Sequence, residues 1–345
     1  MRPKFVSALT VSVGLSVLFL VVYGVCNWIT SQRSGLGTIY FEWERHIPFA
    51  PLMIVPYMSI DLFFVAAPFL CRSESELRTL AKRIAAVIVA AGICFLLIPL
   101  RFAFARPSAD GFLASVFDWF RGMDLPYNLF PSLHVALGGL LVVTFARHTR
   151  SALRYLVIAW FALIAASAVL TFQHHLLDVV GGFALSGYCF YFIRETPRRW
   201  AVVPERRLGV RYLAAAVLLA VASMGFWPWG GLLLWPAISL AIVASAYFKL
   251  GPAIFRKTNG IVSWSTWWAL GPCLVGQHLS RIYYQRRCRA WDQATPEVWI
   301  GRVLSESEAA GAVKAGVTAA LDLTAEFSAT KVFAMSATGI FRSST

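Results

Sequence analysis

Acidic residues are scarce in this chain: 17 Asp and Glu stand against 31 Lys and Arg in 345 residues, and charged residues of both signs make up only 14%. An ordinary soluble domain carries roughly 25% charged residues, so a water-facing surface of normal size is excluded. Cysteines are few and scattered (Cys26, Cys71, Cys94, Cys189, Cys273, Cys288), with no CxxC pair and none in the expected outer loops. That spacing offers neither a disulfide framework nor a zinc site. Internal repeats and low-complexity linkers are also absent from the sequence, which argues against a solenoid or a tethered array.

Apolar residues fill the space left. The chain is 58% hydrophobic with a mean hydropathy of +0.65. Apolar stretches near the roughly 20 residues that a spanning helix needs recur near 5–29, 50–71, 83–100, 131–146, 153–172, 176–193, 211–226 and 230–249. The expected fold is therefore an all-α integral membrane helix bundle of about eight transmembrane helices, with FWPWGG (226–231) allowing only a tight turn between the last two. The first stretch is long, and YGV before Cys26 lacks the small residue of a lipoprotein cleavage site, so it is expected to be an uncleaved anchor.

A net charge of +14 could suggest nucleic acid, but the basic residues are spread over loops rather than gathered on one surface. No nucleic-acid partner is expected. With the N-terminus cytoplasmic, all but five of the 31 Lys and Arg fall inside, the exceptions being Arg33, Arg45, Arg101, Arg106 and Arg121. The positive-inside rule then puts both termini in the cytoplasm and the segment QHHLLD (173–178) at the outer face.

Three domains are expected: a polytopic membrane domain over 1–250 with its motif core at 100–185, a basic interfacial amphipathic segment over 251–295, and a short α/β fragment over 296–345. In the fragment, Ser305 and Glu308 fit a capping box, Gly316 fits a helix stop, and VTAALDL (317–323) reads as a strand. Trp227, Trp229, Trp235, Trp264, Trp267 and Trp268 suit a membrane-interface belt.

Ionisable side chains at membrane depth are costly and so point to function. They fall in three clusters at the outer ends of consecutive spans: LRFAFARP (100–107) with Arg101 and Arg106, NLFPSLH (128–134) with Ser132 and His134, and QHHLLD with His174, His175 and Asp178. On a helix His174 and Asp178 are i and i+4 and share a face, whereas His175 is turned about 100° away and is expected to pack or hydrogen-bond beside the site. A histidine oriented by a carboxylate keeps one nitrogen free as nucleophile or base, a second histidine can protonate a leaving oxygen, and arginines hold a phosphate dianion. Phosphoryl transfer needs little more. Arg101 is expected on the phosphate, with snorkelling into headgroups from a span end as the alternative. Asp61, mid-span, is expected to pair inside the bundle, and Asp124 and Asn128 read equally as turn formers or ligands.

These motifs resemble the type 2 phosphatidic acid phosphatase superfamily, with its Lys-x6-Arg-Pro, Pro-Ser-Gly-His and Ser-Arg-x5-His-x3-Asp signature, over roughly 50–195. Arg106-Pro107 matches the first motif but Pro99 stands at its lysine. Pro131-Ser132-Leu133-His134 matches the second with Leu133 for glycine. In the third, Ser167, His174 and Asp178 match, and Ala168 stands at the arginine. YNLFPSLH with QHHLLDVVGG looks most like the inositol phosphorylceramide synthase branch. The resemblance implies a six-helix catalytic core that removes or transfers a phospho-group on a lipid; the loop charges put that chemistry at the outer, periplasmic face, and the fusion-like architecture points to a bacterial inner membrane. It implies a phosphohistidine on His174 oriented by Asp178, His134 as acid and then base, Arg106, Arg101 and Ser132 on the phosphate, and no metal or other cofactor. A non-catalytic lipid-binding protein is the alternative of another class, given the departures at 99 and 168. Residues 296 to about 328 resemble the start of a dual-specificity phosphatase domain. The Cys-x5-Arg signature of that family does not follow, so this activity is expected to be absent and the domain truncated.

Overall fold

The computed structural model describes residues 3–195, 204–226, 229–257, 260–330 and 332, and the chain divides into two compact units between Thr196 and Pro197. Trp227 and the end of the expected 296–345 fragment, from 333 onward, lie outside the described residues.

Unit one runs as α1 (Phe5–Ser31), α2 (Ile54–Leu70), α3 (Glu74–Leu97), α4 (Gly111–Met123), α5 (Leu133–His148), α6 (Ser151–Leu170) and α7 (Leu176–Phe192). Helices suit such a sequence because each backbone N–H and C=O is satisfied within its own segment, away from water. Local chemistry sets the starts. Ser73 caps α3 by accepting from the Glu76 N–H at 3.1 Å, with Glu74 and Glu76 in the first turn facing the positive helix end. Ser132 caps α5 by accepting from the Val135 N–H at 3.3 Å.

Helix α5 lies at the centre, packed by α2, α3, α6 and α7. Its Ala136, Leu137, Leu140 and Leu141 interlock with Ile84, Ile88 and Ala91 of α3, Phe161 and Ile164 of α6, and Phe190 of α7. The opposite condition holds on α1, where Val13, Val17, Leu20 and Val21 stay exposed, as an apolar face turned to lipid requires.

Among the described residues six helical segments are long and apolar enough to cross a membrane: Phe5–Ser31, Pro51–Leu70, Glu74–Leu97, Ser151–Leu170, Arg206–Gly225 and Trp229–Phe255. Six of the eight expected spans are met by these segments, and the other two correspond to shorter apolar helices. Helices α5 and α7, with 16 and 17 residues, are apolar but rise only about 24–26 Å, short of the roughly 30 Å hydrocarbon layer. Both begin late because the segments before them, NLFPS and QHH, run outside regular helix and carry the polar groups. Helix α4 was not anticipated; its apolar residues Leu113, Val116, Phe117 and Phe120 pack on Ile54, Tyr57 and Ala168. Asp61 is also corrected: it lies on an exposed face of α2 and forms no ion pair among the described residues.

Glycine sets the closest helix approach. A Cβ on Gly182 of α7 would stand 2.6 Å from the Ser132 carbonyl oxygen and 2.9 Å from the Val135 Cβ of α5. Both neighbours belong to a packed helix start and cannot swing away. Gly182→Ala is expected to destabilise the protein by about 1–3 kcal/mol through overpacking, read as a lower midpoint of thermal unfolding in detergent. An unchanged midpoint would mean the two helices separate freely.

Unit two holds α8 (Arg206–Gly225), α9 (Leu234–Ser245), α10 (Trp264–Gln285) and α11 (Glu306–Lys314), with β1 (Trp291–Gln293) paired antiparallel to β2 (Trp299–Gly301). Helix α9 packs against both α8 and α10, and the Trp235 indole on it donates to the Trp268 carbonyl at 2.8 Å. The capping box at Ser305 and Glu308 forms, and Gly316 takes a positive φ of 102° just past α11. VTAALDL forms no strand. A strand needs a partner ladder, and this segment instead leads to Asp322 and the Thr324 carbonyl, both held by the Lys257 ammonium.

Candidate active site

The segment QHHLLD is built by the end of α6. Phe172 takes a positive φ of 59°, and the Ala168 carbonyl accepts from both the Gln173 N–H (3.1 Å) and the His174 N–H (2.9 Å). This turn ends at His175, the N-cap of α7, so His174 precedes the helix and does not share a helical face with Asp178. The i, i+4 argument is corrected in its reason. Asp178 Oδ2 accepts from the His175 backbone N–H at 2.8 Å, closing back over the helix start, and this places the same oxygen 3.6 Å from His174 Nδ1. At that distance the pair is an electrostatic contact rather than a formed hydrogen bond. His174 is 7% exposed and Asp178 1%.

His175 points elsewhere. Its Nε2 accepts from the Ala103 N–H at 3.2 Å, which makes Nδ1 the protonated nitrogen of a neutral ring, and Nδ1 donates to Glu44 Oε2 at 2.9 Å. Phe102 stacks on the ring at 4.4 Å, and Phe104 meets it edge-on. Both nitrogens are occupied. Glu44, buried between α1 and α2, also accepts from the Phe41 N–H at 2.8 Å and the Leu176 N–H at 3.2 Å. Burial alone would raise its pKa, but the His175, Phe41 and Leu176 hydrogen bonds outweigh burial and hold the carboxyl below its ordinary range. Sequence reasoning missed Glu44. The signal was an acidic residue amid aromatics in IYFEWERHI, with nothing to mark a partner 131 residues away.

His134, on the first turn of α5, stacks face to face on Tyr57 at 4.0 Å. It lies within electrostatic reach of His174. Ser132 is fully buried and its hydroxyl oxygen serves the helix cap, while its backbone N–H donates to the Asp178 carbonyl at 2.9 Å. That bond ties the second motif to the third.

Arg106 donates to the Asp124 carbonyl at 3.5 Å, and its charge reaches the Asp124 carboxylate. Asp124 and Asn128 are neither simple turn formers nor free ligands: the Tyr23 hydroxyl donates to Asp124 Oδ1 at 2.5 Å, and the Asn128 amide donates to the Tyr23 carbonyl at 2.9 Å. Burial raises the Asp124 carboxyl above its usual range, opposed by the Tyr23 hydroxyl and the charges of Arg106 and His174. Arg101 is exposed, and its backbone N–H, bonded to the Gly37 carbonyl at 2.9 Å, is what fixes its segment. Thus His134, His174, Asp178, Ser132 and Arg106 come together, and Arg101 stays at the rim.

Three buried nitrogens in this cluster have no hydrogen-bond partner: His134 Nε2, His174 Nδ1 and Arg106 Nε. Of these, His174 Nδ1 is the nitrogen that faces Asp178.

Fold and site together define an integral membrane protein of long apolar helices with a histidine, carboxylate and arginine cluster at the ends of its bundle. Residues 45–192 match the family model of the PAP2 superfamily, the family whose motifs the sequence resembles. No curated protein and no solved structure matches the chain.

Proposed function

We propose that the chain is a lipid-phosphate phosphatase or phosphotransferase acting through a phosphohistidine on His174. The observation that carries this reading is the gathering of His174, with Asp178 3.6 Å from its Nδ1, beside His134 and Arg106, inside the segment that matches the PAP2 superfamily.

Asp178 keeps the His174 proton on Nδ1, leaving Nε2 with a lone pair for phosphorus. Attack by Nε2 forms the P–N bond as the P–O bond to the lipid alcohol breaks. His134, which the negative charge of the bound phosphate helps to protonate, gives its proton to the departing oxygen and later takes one from the incoming water or alcohol, after which the P–N bond breaks and His174 is regenerated. Arg106 draws charge from the non-bridging oxygens, with the Ser132 hydroxyl beside it and Arg101 meeting the headgroup from the rim, where solvent screening keeps its contribution small. Acceptor choice decides between hydrolysis and an inositol phosphorylceramide synthase-like transfer, because one site serves both. On the charge distribution of the loops this chemistry faces the periplasm.

Purified protein is expected to release phosphate from phosphatidic acid, phosphatidylglycerol phosphate or undecaprenyl pyrophosphate, and to keep doing so in excess chelator. A lipid alcohol added as acceptor would divert the phospho-group from water if transfer is the physiological reaction. No release and no transfer with any of these lipids would sink the catalytic reading in favour of a lipid-binding protein. Loss of turnover in chelator would sink the metal-independent mechanism.

A further inference from the structure

The superfamily signature expects a lysine at 99 and an arginine at 168, and here Pro99 and Ala168 stand there. A phosphate dianion facing Arg106 alone would be under-neutralised in a poorly hydrated site. Helix α4 supplies another cation. Arg121 Nη2 donates to the carbonyl of Pro107, next in chain to Arg106, at 2.8 Å, and Arg106 donates to the carbonyl of Asp124, three residues past Arg121. Each guanidinium therefore reaches the backbone beside the other.

The placement of Arg121 also answers the departure at 168. Its guanidinium lies over the Phe117 ring at 4.9 Å. Phe117, Ala168 and Tyr57 belong to one buried cluster, and Tyr57 is the ring on which His134 stacks. The small side chain at 168 leaves α4 room to sit on this cluster and to present a cation from a different element.

Two like charges held this close repel, and neither arginine forms an ion pair among the described residues. Asp118 and Asp124 lie within electrostatic reach of Arg121 and Arg106 respectively, but outside ion-pair distance. The Nε atoms of both arginines are buried without an acceptor. Burial first, and the charge of Arg106 second, pull Arg121 below its usual pKa.

We infer that Arg121 and Arg106 together bind the phosphate group of the substrate, Arg121 replacing the arginine that the third motif lacks. The inference rests on the reading of His174 as a phosphoryl-transfer residue, and it deepens that reading by completing the anion site. Two planar forks meeting one tetrahedral dianion give the bidentate geometry that a lysine would not.

Its test uses the full-length protein in detergent, with inorganic orthovanadate as a phosphate-shaped probe followed by calorimetry, and phosphatidic acid turnover as a second readout. Arg121→Gln keeps a donor for the Pro107 carbonyl and removes the charge, while Arg121→Lys keeps the charge and loses the fork. The Gln variant is expected to weaken vanadate binding and to raise KM by tenfold or more with a smaller fall in kcat, and the Lys variant to recover part of both. Arg33→Ala, which removes an exposed outer arginine bonded to the Leu96 carbonyl, is expected to change neither.

Vanadate binding by Arg121→Gln equal to that of the wild type overturns the inference, as does a wild type that binds no vanadate. Weakened binding in the Gln variant of a protein that turns over no lipid phosphate supports the anion site and refutes the catalytic reading. Turnover by the wild type with an unaltered Gln variant refutes the role of Arg121 alone.

Discussion

His174→Ala is expected to abolish the proposed phosphate release, by about 10⁴-fold or more, with a loss of stability limited to about 1–2 kcal/mol. The first magnitude follows from the role. A nucleophile that forms a covalent intermediate has no substitute in the site, and the remaining groups supply only binding and charge neutralisation. The second follows from the surroundings. The His174 ring nitrogen facing Asp178 makes no hydrogen bond at 3.6 Å, so its removal leaves no newly unsatisfied donor, and the main-chain bonds to Ala168 and from Asp178 to His175 survive the substitution. Steady-state release from phosphatidic acid beside a thermal unfolding curve checks both. Retention of more than a few per cent of activity would move the nucleophile elsewhere, and His134 would be the next group to replace.

Glu44 and His175 carry the opposite expectation. Glu44→Ala removes the acceptor of three donors at once: the His175 ring and the backbone N–H groups of Phe41 and Leu176. Leaving a buried donor unsatisfied costs about 1–3 kcal/mol, so the loss of one acceptor shared by three donors is expected to cost about 3–5 kcal/mol. His175→Ala leaves the Glu44 carboxylate buried without the ring and is expected to cost as much. The double variant should lose less than the sum of the two singles, since residues in contact couple by about 0.5–3 kcal/mol. Additive losses would mean the 2.9 Å contact between them carries no energy. Both folded variants are expected to keep the ordinary mechanism with reduced kcat, because the bridge holds the segments carrying Phe41, Ala103 and His175 around the site without touching a reacting atom.

The pH dependence follows from the direction of the shift at Glu44. Its carboxyl lies below the ordinary value of 4.5 in the folded protein, so its contribution to stability is fully present above that value and is lost as pH falls through the depressed folded value. The stability gap between the wild type and Glu44→Gln is therefore expected to be widest near neutrality and to narrow on acidification. A gap that grows toward low pH would contradict an ionised Glu44.

Much of this protein could be read from the chain alone, because apolar length and local spacing are one-dimensional properties. The scarcity of charge and the recurrence of apolar stretches required long membrane-type helices, and three separated motifs, around Arg106, around Ser132 and His134, and around His174 and Asp178, mark the cluster in the sequence. Capping chemistry is equally local, and the box at Ser305 and Glu308 formed as its spacing required.

Tertiary structure decided what depends on distant partners or on where a helix stops. His174 and Asp178 meet because a carboxylate folds back over a helix start, not because they share a helical face. His175 is taken up by Glu44, 131 residues earlier, and only the folding of the α1–α2 loop onto the start of α7 makes that pair. VTAALDL had the pattern of a strand and no neighbour to hydrogen-bond, so it stayed irregular. Arg121 sits on α4, a short helix whose docking depends on a buried face shared with α2 and α6. Periodicity and motif spacing act along the chain, whereas these choices are set by which surfaces remain unsatisfied once the helices have packed.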